Sequence, residues 1–463
     1  MAGGLVLGVP PAVLQLVQQG LLERAFHDGL FPAMLFRSEA VAEEWGANTG
    51  TEIFMSRPGL LAPIVKPISP GNDPIPQTVS YEQWVARLNR YAGTIDTHIP
   101  TSVVANADLF LRNIHQLGLQ AGQSLNRIPR NALYKSYVSG HTVTIAAAGA
   151  GAVTIRVASC NGFTDVVIPG AQVRPAGVSP ATPLAVTITG IGTRNVIGVT
   201  PDNPDDPDGP GTLLLDVALG GGGILARTPV LSSQRPQIIR SGGGLSVDAI
   251  GAADTFALQD AINAVNRLRK NSVQPHEDGY YHAHISTDGN SQVFTDAAFQ
   301  RLNTALPDHT YYQEAFIGTI AGIAFYLNTE TPDSANSGAR TGTGTNAFYS
   351  EDIGAETTNE TSINIGRIIV TGRGAMVEKY LDEKAYVTEA GVTGKVGEFT
   401  VVNAGIEIQT ERVRLILRAP LNRLQDVVAA SWSSTTSFPV PSDVSSGGPE
   451  RYKRAIVLEH ALD

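Results

Sequence analysis

Apolar residues recur every three or four positions in several stretches of the chain, the spacing that gives a helix one apolar face. Residues 12–28 predict a short amphipathic helix, and residues 101–127 predict a longer one. Pro129 should end the longer helix, because proline lacks the backbone N–H and clashes with the preceding turn. A short helix over NALYKSYV follows it, and helical spacing returns at residues 254–270.

The segment 51–100 is rich in proline, and its apolar residues are spread between the prolines. Proline bars most of the segment from a helix or a central strand. Residues 84–99 fit two patterns: a capping box of Ser80 and Gln83 favours a helix, whereas alternation and the β-branched run after Gly93 favour a strand. The strand is the better fit and gives a long hairpin arm. A two-stranded arm is marginal in water, so we expect it to need a partner surface.

Residues 138–232 have a different composition, dominated by valine, threonine, isoleucine, glycine and alanine. Short runs such as HTVTIAA, AVTIRVAS and PLAVTITG are separated by turn residues, the pattern of a small β sandwich or barrel. Glycine runs at 220–223 and 242–244 lie at the end of this stretch. Because both flanks have mixed helix and strand patterns, we interpret it as an inserted all-β domain.

The C-terminal half mixes strands and helices. A strand is predicted over GYYHAHIS (279–286), a helix near FTDAAFQRLN, and a buried strand pair within AFIGTIAGIAFYLN (315–328). Residues 331–362 form a long polar loop, and the chain then returns to strands that end in AIVLEH. The patterns together predict an α+β fold.

Composition narrows the class of protein. The 463 residues include 42% hydrophobic and 16% charged residues, which is enough apolar material for sizeable cores. A low charged fraction fits either a loop-rich β protein or a subunit that hides surface in permanent contacts. A formal charge of −10 without a basic run disfavours sequence-specific nucleic-acid binding.

The sequence also bears on the cellular compartment. The single cysteine allows no intramolecular disulfide and favours a reducing compartment. The N-terminal stretch lacks the positive region of a signal peptide, and no apolar run has the length of a membrane span. We therefore expect a soluble protein made in the cytoplasm, with no membrane partner.

Candidate chemical groups are few. His282 and His284 share one face of a strand with His276 nearby, but no third ligand has the spacing of a metal site. The acidic run 201–211 lacks the features of a calcium loop, so we prefer an exposed turn. Cys160 has no nearby histidine and is predicted to be a buried, inert thiol. We predict no catalytic residue, no cofactor, no metal and no enzymatic activity.

Several local stretches, and their order, resemble one protein family. They are LRNIHQLGLQAGQSLNR, GYYHAHISTD with FTDAAFQRL, YYQEAFIGTIAGIAFYLNTE, RGAMVEKYLDE and PLNRLQDVVAASW. Together they cover most of the chain outside the β insertion. The chain resembles the major capsid proteins of tailed bacteriophages, which have the Hong Kong ninety-seven type capsid fold.

The resemblance implies a division of the chain into parts. These are an N-terminal arm (1–50), an extended hairpin loop (51–100), the spine helix of the peripheral domain (101–137), the inserted all-β domain (138–232), the axial domain (233–395) and the peripheral-domain strands with the C-terminus (396–463). The β insertion departs from the minimal fold. We do not expect a covalent cross-link between Lys66 and Asn422, because no catalytic glutamate context is recognisable.

The resemblance also implies a function, that of a major capsid protein which self-assembles into hexamers and pentamers. These form an icosahedral shell around packaged double-stranded DNA, in virions that assemble in the bacterial cytoplasm. Expected partners are further copies of the chain, portal and scaffolding proteins, a decoration protein, and DNA without sequence specificity. Contacts between subunits are expected at Ile53, Phe54, Arg57, Leu60, Leu61, Ile64, Lys66, Trp84, Arg87 and Arg90.

Two other classes of protein are alternatives. The first is another phage structural protein, such as a tail or fibre component that carries a β adhesion module. The second is a hydrolase with a β binding domain, which the lack of a recognisable nucleophile or carboxylate pair disfavours. The extended hairpin before the long helix favours the shell subunit, since a shell uses such an arm to overlap neighbouring subunits.

Overall fold

The computed structural model of the chain describes most of its residues. They are 21–30, 35–46, 49–58, 61, 63–69, 71–79, 81–98, 109–167, 174–177, 182–304, 318–328, 331, 359–381, 394–396, 399–402, 405–410, 412–418, 427–442 and 453–462. The fold is α+β, as predicted, with helices and strands mixed along the chain.

The described helices and strands have the following bounds. The helices are α1 (Leu21–Leu30), α2 (Leu109–Tyr137), α3 (Leu258–Lys270), α4 (Thr287–Thr295) and α5 (Ala297–Thr304). The strands are β1 (Ala40–Glu44), β2 (Glu52–Pro58), β3 (Tyr81–Arg87), β4 (Asn89–His98), β5 (His141–Val143), β6 (Thr154–Val157), β7 (Asp165–Val166), β8 (Arg174–Pro175), β9 (Leu184–Ile188), β10 (Gly192–Pro201), β11 (Gly211–Leu215), β12 (Pro229–Ser232), β13 (Ile238–Arg240), β14 (Tyr281–Ile285), β15 (Thr319–Ile320), β16 (Ile323–Leu327), β17 (Ile365–Thr371), β18 (Met376–Tyr380), β19 (Gly394–Val396), β20 (Phe399–Val402), β21 (Gly405–Thr410), β22 (Val413–Arg418), β23 (Val427–Ser437) and β24 (Ala455–Ala461).

The first compact unit comprises residues 1–53, 86–130 and 376–439. Its eight-stranded sheet has the order β1-β18-β23-β22-β21-β20-β19, and β4 pairs with β23 as well. β1 runs parallel to β18, whereas β4 and β22 run antiparallel to β23. The apolar face of α2 packs on this sheet, where Ile114 and Leu125 are buried with Leu415 and Trp432.

Two glycines let α1 and α2 cross closely within the first unit. A Cβ atom added at Gly29 would lie 2.5 Å from the His115 carbonyl oxygen, and one added at Gly118 would collide with the Phe26 carbonyl oxygen. Any larger residue at either position would therefore separate the helices.

A buried carboxylate ties three parts of the first unit together. Glu378 on β18 accepts hydrogen bonds from Arg37 at 2.9 and 2.6 Å and from Arg412 at 2.7 Å. Its side chain is 1% exposed. Two guanidinium groups compensate the burial of one carboxylate, which would be costly without a partner.

The second compact unit comprises residues 54–85, 131–375 and 440–463. Its mixed six-stranded sheet has the order β13-β24-β17-β14-β16-β15. The apolar stripe of α3, which includes Val265 and Leu268, is buried with Ile285, Ile368 and Ile456 of this sheet.

The same unit contains a second six-stranded sheet, with the order β5-β12-β9-β10-β11-β6. The amide of Ile145 donates to Arg156 O and that of Ala158 to Val143 O, so the edge strands β5 and β6 also join. The sheet therefore closes into a barrel, which removes its free edges. A separate cluster of buried apolar side chains fills it, including Phe163, Val186, Ile188 and Leu213.

The long helix differs from its prediction. α2 continues through Pro129 to Tyr137 as one helix, instead of ending and restarting. Proline removes one backbone hydrogen bond, and the turns after it are held by buried side chains: Tyr134 Oη donates to Arg367 O at 3.2 Å and Tyr137 Oη to Ala375 O at 3.4 Å. Side-chain burial outweighs the lost hydrogen bond.

Three strands pair across the parts into which the resemblance divides the chain, and that division stays a prediction. β4 pairs along its length with β23, and its Tyr91 and Ile95 pack on the core of the first unit. β18 joins the eight-stranded sheet. β24 pairs with β13 and β17.

The strand interpretation of residues 84–99 is confirmed, as are the strand at 281–285, the strand pair β15–β16 and the helix at 258–270. The helix predicted at 12–28 is described only from Leu21, as α1. Most of the predicted loop 331–362 lies outside the described residues.

Candidate interaction surface

A long run of exposed residues follows the hairpin strand β2. β2 and β3 form a two-stranded sheet of their own. The described residues from Leu61 to Val79 belong to neither a helix nor a strand, and each of them is exposed. We call residues 61–79 the hairpin loop.

The hairpin loop carries an unusual share of exposed apolar side chains. Their exposed fractions range from 36% at Val79 to 88% at Ile75, and the others are Leu61, Ile64, Val65 and Ile68. Lys66 and Asp73 are the charged residues of the loop. Closely spaced exposed apolar groups with little charge are typical of a surface that another molecule covers.

The base of the hairpin is held within its own chain. Alternate residues of β3 are buried, and Trp84 is 6% exposed. The Arg57 guanidinium lies 5.6 Å from the centre of the Trp84 ring, within the range of a cation–π interaction. Arg57 also lies beside Gly374, within the second unit. The loop is therefore carried on an anchored pair of strands.

The ten residues expected at subunit contacts fall into three groups. Phe54, Leu61, Ile64, Lys66, Arg87 and Arg90 are exposed, Ile53 and Arg57 are half-buried, and Trp84 is buried. Leu60 lies outside the described residues. Trp84 is 6% exposed within its own chain, which leaves its ring little surface for a neighbour, and its role in subunit contacts stays a prediction.

Arg87 has a partner in the same strand pair, since its Nε lies 2.9 Å from Glu52 Oε1. Both side chains are exposed, so the pair contributes little to stability. The sequence prediction missed Ile68, Ile75 and Tyr81. The signal was present, because apolar residues continue between prolines beyond Lys66.

The histidines considered as metal ligands have other contacts. His276 and His282 stack with ring centres 3.9 Å apart, and His282 Nε2 lies 2.9 Å from Asp278 Oδ2. His284 is buried on the same strand and lies 3.5 Å from Asn328 Nδ2.

The acidic run and the cysteine match their predictions. Asp202 pairs with Arg156, and Asp208 pairs with Lys135, in a turn of the barrel. Cys160 is buried, and burial, with nearby Asp202 and Asp208, raises the pKa of its thiol to about 11. A thiol with so high a pKa is a poor nucleophile at neutral pH.

Among the described residues, no helix has both the length and the apolarity that a membrane span requires. Neither the family models nor the curated proteins that were compared with the chain gave a match.

Solved structures of phage capsids are similar to the chain over most of its length. The capsid of cyanophage P-SCSP1u is 11% identical and has a TM-score of 0.44, covering 93% of this chain and 88% of that one. The cyanophage Pam1 capsid asymmetric unit is 10% identical with a TM-score of 0.46, covering 94% and 92%. The acidic stable capsid of Helicobacter pylori bacteriophage KHP30 is 8% identical with a TM-score of 0.47, covering 93% and 92%. At these low identities and TM-scores, the function must be inferred from the residues of the chain itself.

Proposed function

We propose that the chain is a major capsid protein, which assembles with copies of itself into the hexamers and pentamers of a phage shell. The observation that supports this most is the hairpin loop: apolar side chains held away from either core, on strands that are anchored at their base. A free monomer gains nothing from exposing these groups. A subunit that covers them with its neighbour gains at every contact of a closed shell.

The free energy gained by covering the hairpin loop is large enough to drive assembly. Covering roughly 400 Å² of apolar loop surface at about 25 cal/mol per Å² would contribute about 10 kcal/mol per subunit. Ordering the loop and losing the freedom of the subunits offset much of this gain. A remainder of a few kcal/mol is repeated over all subunits of a shell, so it would decide whether the shell forms.

The net charge of the chain fits a shell that encloses DNA better than a surface that recognises a DNA sequence. A net charge of −10 gives no electrostatic attraction to phosphates. We infer that contact with packaged DNA is non-specific. In this proposal the shell forms in the bacterial cytoplasm, and portal, scaffolding and decoration proteins are its further partners.

The proposed role is structural, without catalysis. The high pKa of the buried Cys160 thiol is consistent with this, because it makes the single cysteine a poor nucleophile.

A tail or fibre component remains the second candidate, and the barrel supports it. Val217 and Leu225 of the barrel region are 58% and 77% exposed, so this region also offers apolar groups to a partner. In that case the barrel would be the adhesive part and the hairpin loop would be dispensable.

Assembly of the purified full-length chain, with scaffolding protein if required, tests the proposal. Negative-stain microscopy should show closed shells or rings of five and six subunits. Tubes or fibres would favour the second candidate. A chain that remains monomeric at all concentrations and salts, even with the other virion proteins present, contradicts both.

A further inference from the structure

The exposed face of α3 differs in charge from the chain as a whole. The chain has a formal charge of −10, yet none of the exposed residues of this helix is acidic. The exposed residues are all cations or amides, namely Gln259, Asn263, Asn266, Arg267, Arg269 and Lys270. Exposed cations on a helix are usually paired with carboxylates three or four positions away, and this face offers no such partner.

Five of these residues lie on one side of the helix. Gln259, Asn263, Asn266, Arg267 and Lys270 follow one another at helical spacing, and we call them the α3 stripe. Eleven steps of 1.5 Å give the stripe a length of about 16 Å. Gln259 Nε2 donates to Asn263 Oδ1 at 3.1 Å, which links two amides along this side. Each of the five side chains carries N–H donors, the groups that hold phosphate oxygens.

The single carboxylate of α3 lies at the opposite end of the helix and has partners there. Asp260 is half-buried in the first turn, where it accepts from Ser241 Oγ at 2.8 Å and from the Ala257 amide at 3.4 Å. About 10 Å of helix axis separates it from Arg267, the nearer cation of the stripe. Asp260 therefore does not neutralise the α3 stripe.

The two carboxylates that follow α3 in the chain also have partners of their own. Glu277 Oε1 accepts from Arg373 Nη2 at 3.0 Å, and Asp278 Oδ2 lies 2.9 Å from His282 Nε2. The two cations of the α3 stripe have no ion pair within the described part of the chain. Charges farther than about 8 Å are largely screened at physiological salt, so the acidic residues elsewhere do not cancel the stripe.

Cations in the last turn of a helix also stabilise the helix dipole. That effect accounts for Arg267 and Lys270, but it does not account for the lack of acidic residues along the rest of the exposed face. A surface of one sign of charge, lined with amide donors, fits a partner that presents a row of anionic oxygens.

We propose that the α3 stripe holds backbone phosphates of double-stranded DNA without recognising its sequence. Double-stranded DNA carries one negative charge per about 1.7 Å of its axis, so a stripe of about 16 Å meets several phosphates. Contacts to phosphates position a protein on DNA and carry no sequence information. That this DNA is the packaged genome rests on the proposed function, whereas the contact with phosphate rests on the helix alone.

The test is fluorescence anisotropy of the full-length subunit with labelled DNA duplexes of two unrelated sequences, measured over a series of salt concentrations. The two duplexes should bind with equal affinity. In Arg267→Gln combined with Lys270→Gln, the affinity at low salt should fall about tenfold. The slope of log affinity against log salt should decrease by about 2, because each lost phosphate contact removes about one.

Arg87→Gln combined with Arg156→Gln is the matched control. It also removes two exposed cations and changes the net charge equally, but these cations are paired with Glu52 and Asp202. The control should keep the affinity and the salt slope of the unaltered chain. The melting temperatures of both double variants should stay close to that of the unaltered chain, since all four side chains are exposed.

Four results would overturn the inference: no binding of DNA at low salt, equal binding by the unaltered chain and the α3 variant, an equal loss in the control, or tighter binding of polyglutamate than of DNA. The last would indicate an acidic protein as the partner. Shell formation is followed separately by negative-stain microscopy, and the α3 variant should form shells as the unaltered chain does. Shells from a chain that does not bind DNA contradict this inference alone, whereas DNA binding by a chain that forms no shells contradicts the proposed function alone.

Discussion

The hairpin loop, which joins β2 to β3, and the barrel of residues 141–232, which follows α2, differ in exposure. Every described residue from Leu61 to Val79 is exposed. The barrel has its own buried cluster and no free edge between β5 and β6. Both segments are rich in apolar and turn-forming residues and poor in charge. The spacing of the apolar residues therefore determines which of the two segments forms a core of its own.

In the barrel strands, apolar residues recur at every second position. Leu184, Val186 and Ile188 of β9 are fully buried, while Ala185 and Thr187 between them are more exposed. Alternation places one side of each strand in the core. In the hairpin loop prolines interrupt the chain at irregular intervals, so no face collects the apolar groups. Such a segment can be covered only by another surface.

The largest difference, in circular dichroism and in thermal unfolding, is expected when residues 138–232 and residues 51–100 are each expressed alone. Residues 138–232 should give a β-type circular dichroism spectrum and a cooperative melt, because their core is internal. Residues 51–100 should give the spectrum of an unstructured peptide. A disordered spectrum from residues 138–232 would mean that the barrel depends on the rest of the second unit.

Within the full chain, Phe163→Ala should destabilise the second unit by about 3–5 kcal/mol, the usual cost of removing a buried aromatic ring. Phe163 is fully buried in the barrel. Chemical denaturation, with Phe54→Ala in the exposed hairpin as the control, measures the difference. Equal effects of the two substitutions would remove the distinction between the regions.

Acid should weaken the second unit and leave the hairpin loop unaffected, since residues 61–79 contain no histidine. Burial lowers the pKa of His460 from 6.5 to about 4. Between these values the unfolded chain binds a proton that the folded chain does not, so stability falls as the pH drops from 6.5 to about 4. His460 contributes about 3 kcal/mol to this loss.

The comparison of the parent chain with His460→Gln checks the acid effect. Denaturation at pH 7 and at pH 4.5 should show a smaller loss of stability in the variant. If both chains lose the same amount, His460 is not one of the groups responsible.

The smallest effect on stability is expected in the hairpin loop. Ile64→Ser combined with Ile75→Ser should change the free energy of unfolding by no more than about 0.5 kcal/mol, because both side chains are already in water. The matched control is Val217→Ser with Leu225→Ser, also exposed but in the barrel region. Only the loop variant should fail to assemble. Failure of the barrel variant alone would instead favour the second candidate function, a tail or fibre component.

Local patterns predicted the elements well. The strands at 279–286 and 455–460, the helix at 254–270 and the β-rich insertion were all recognisable from the local spacing or density of their apolar residues. The exposed hairpin loop followed from its prolines. The inert character of Cys160 followed from the lack of partners in the sequence.

Long-range pairing could not be predicted in the same way. Which sheet β18 and β24 join depends on partners hundreds of residues away, and their sequences are compatible with either sheet. The burial of Trp84 could not be predicted, because alternation in β3 indicates two faces but not which face its own chain covers.

Deletion of residues 66–78 tests the central claim most directly. Shells should be visible by negative-stain microscopy for the unaltered chain and for the barrel-region control, and absent for the deletion, while the melting temperature of the deleted subunit stays nearly unchanged. Shells from the deleted chain, or a deleted subunit that no longer folds, would contradict the account that this loop binds subunits together.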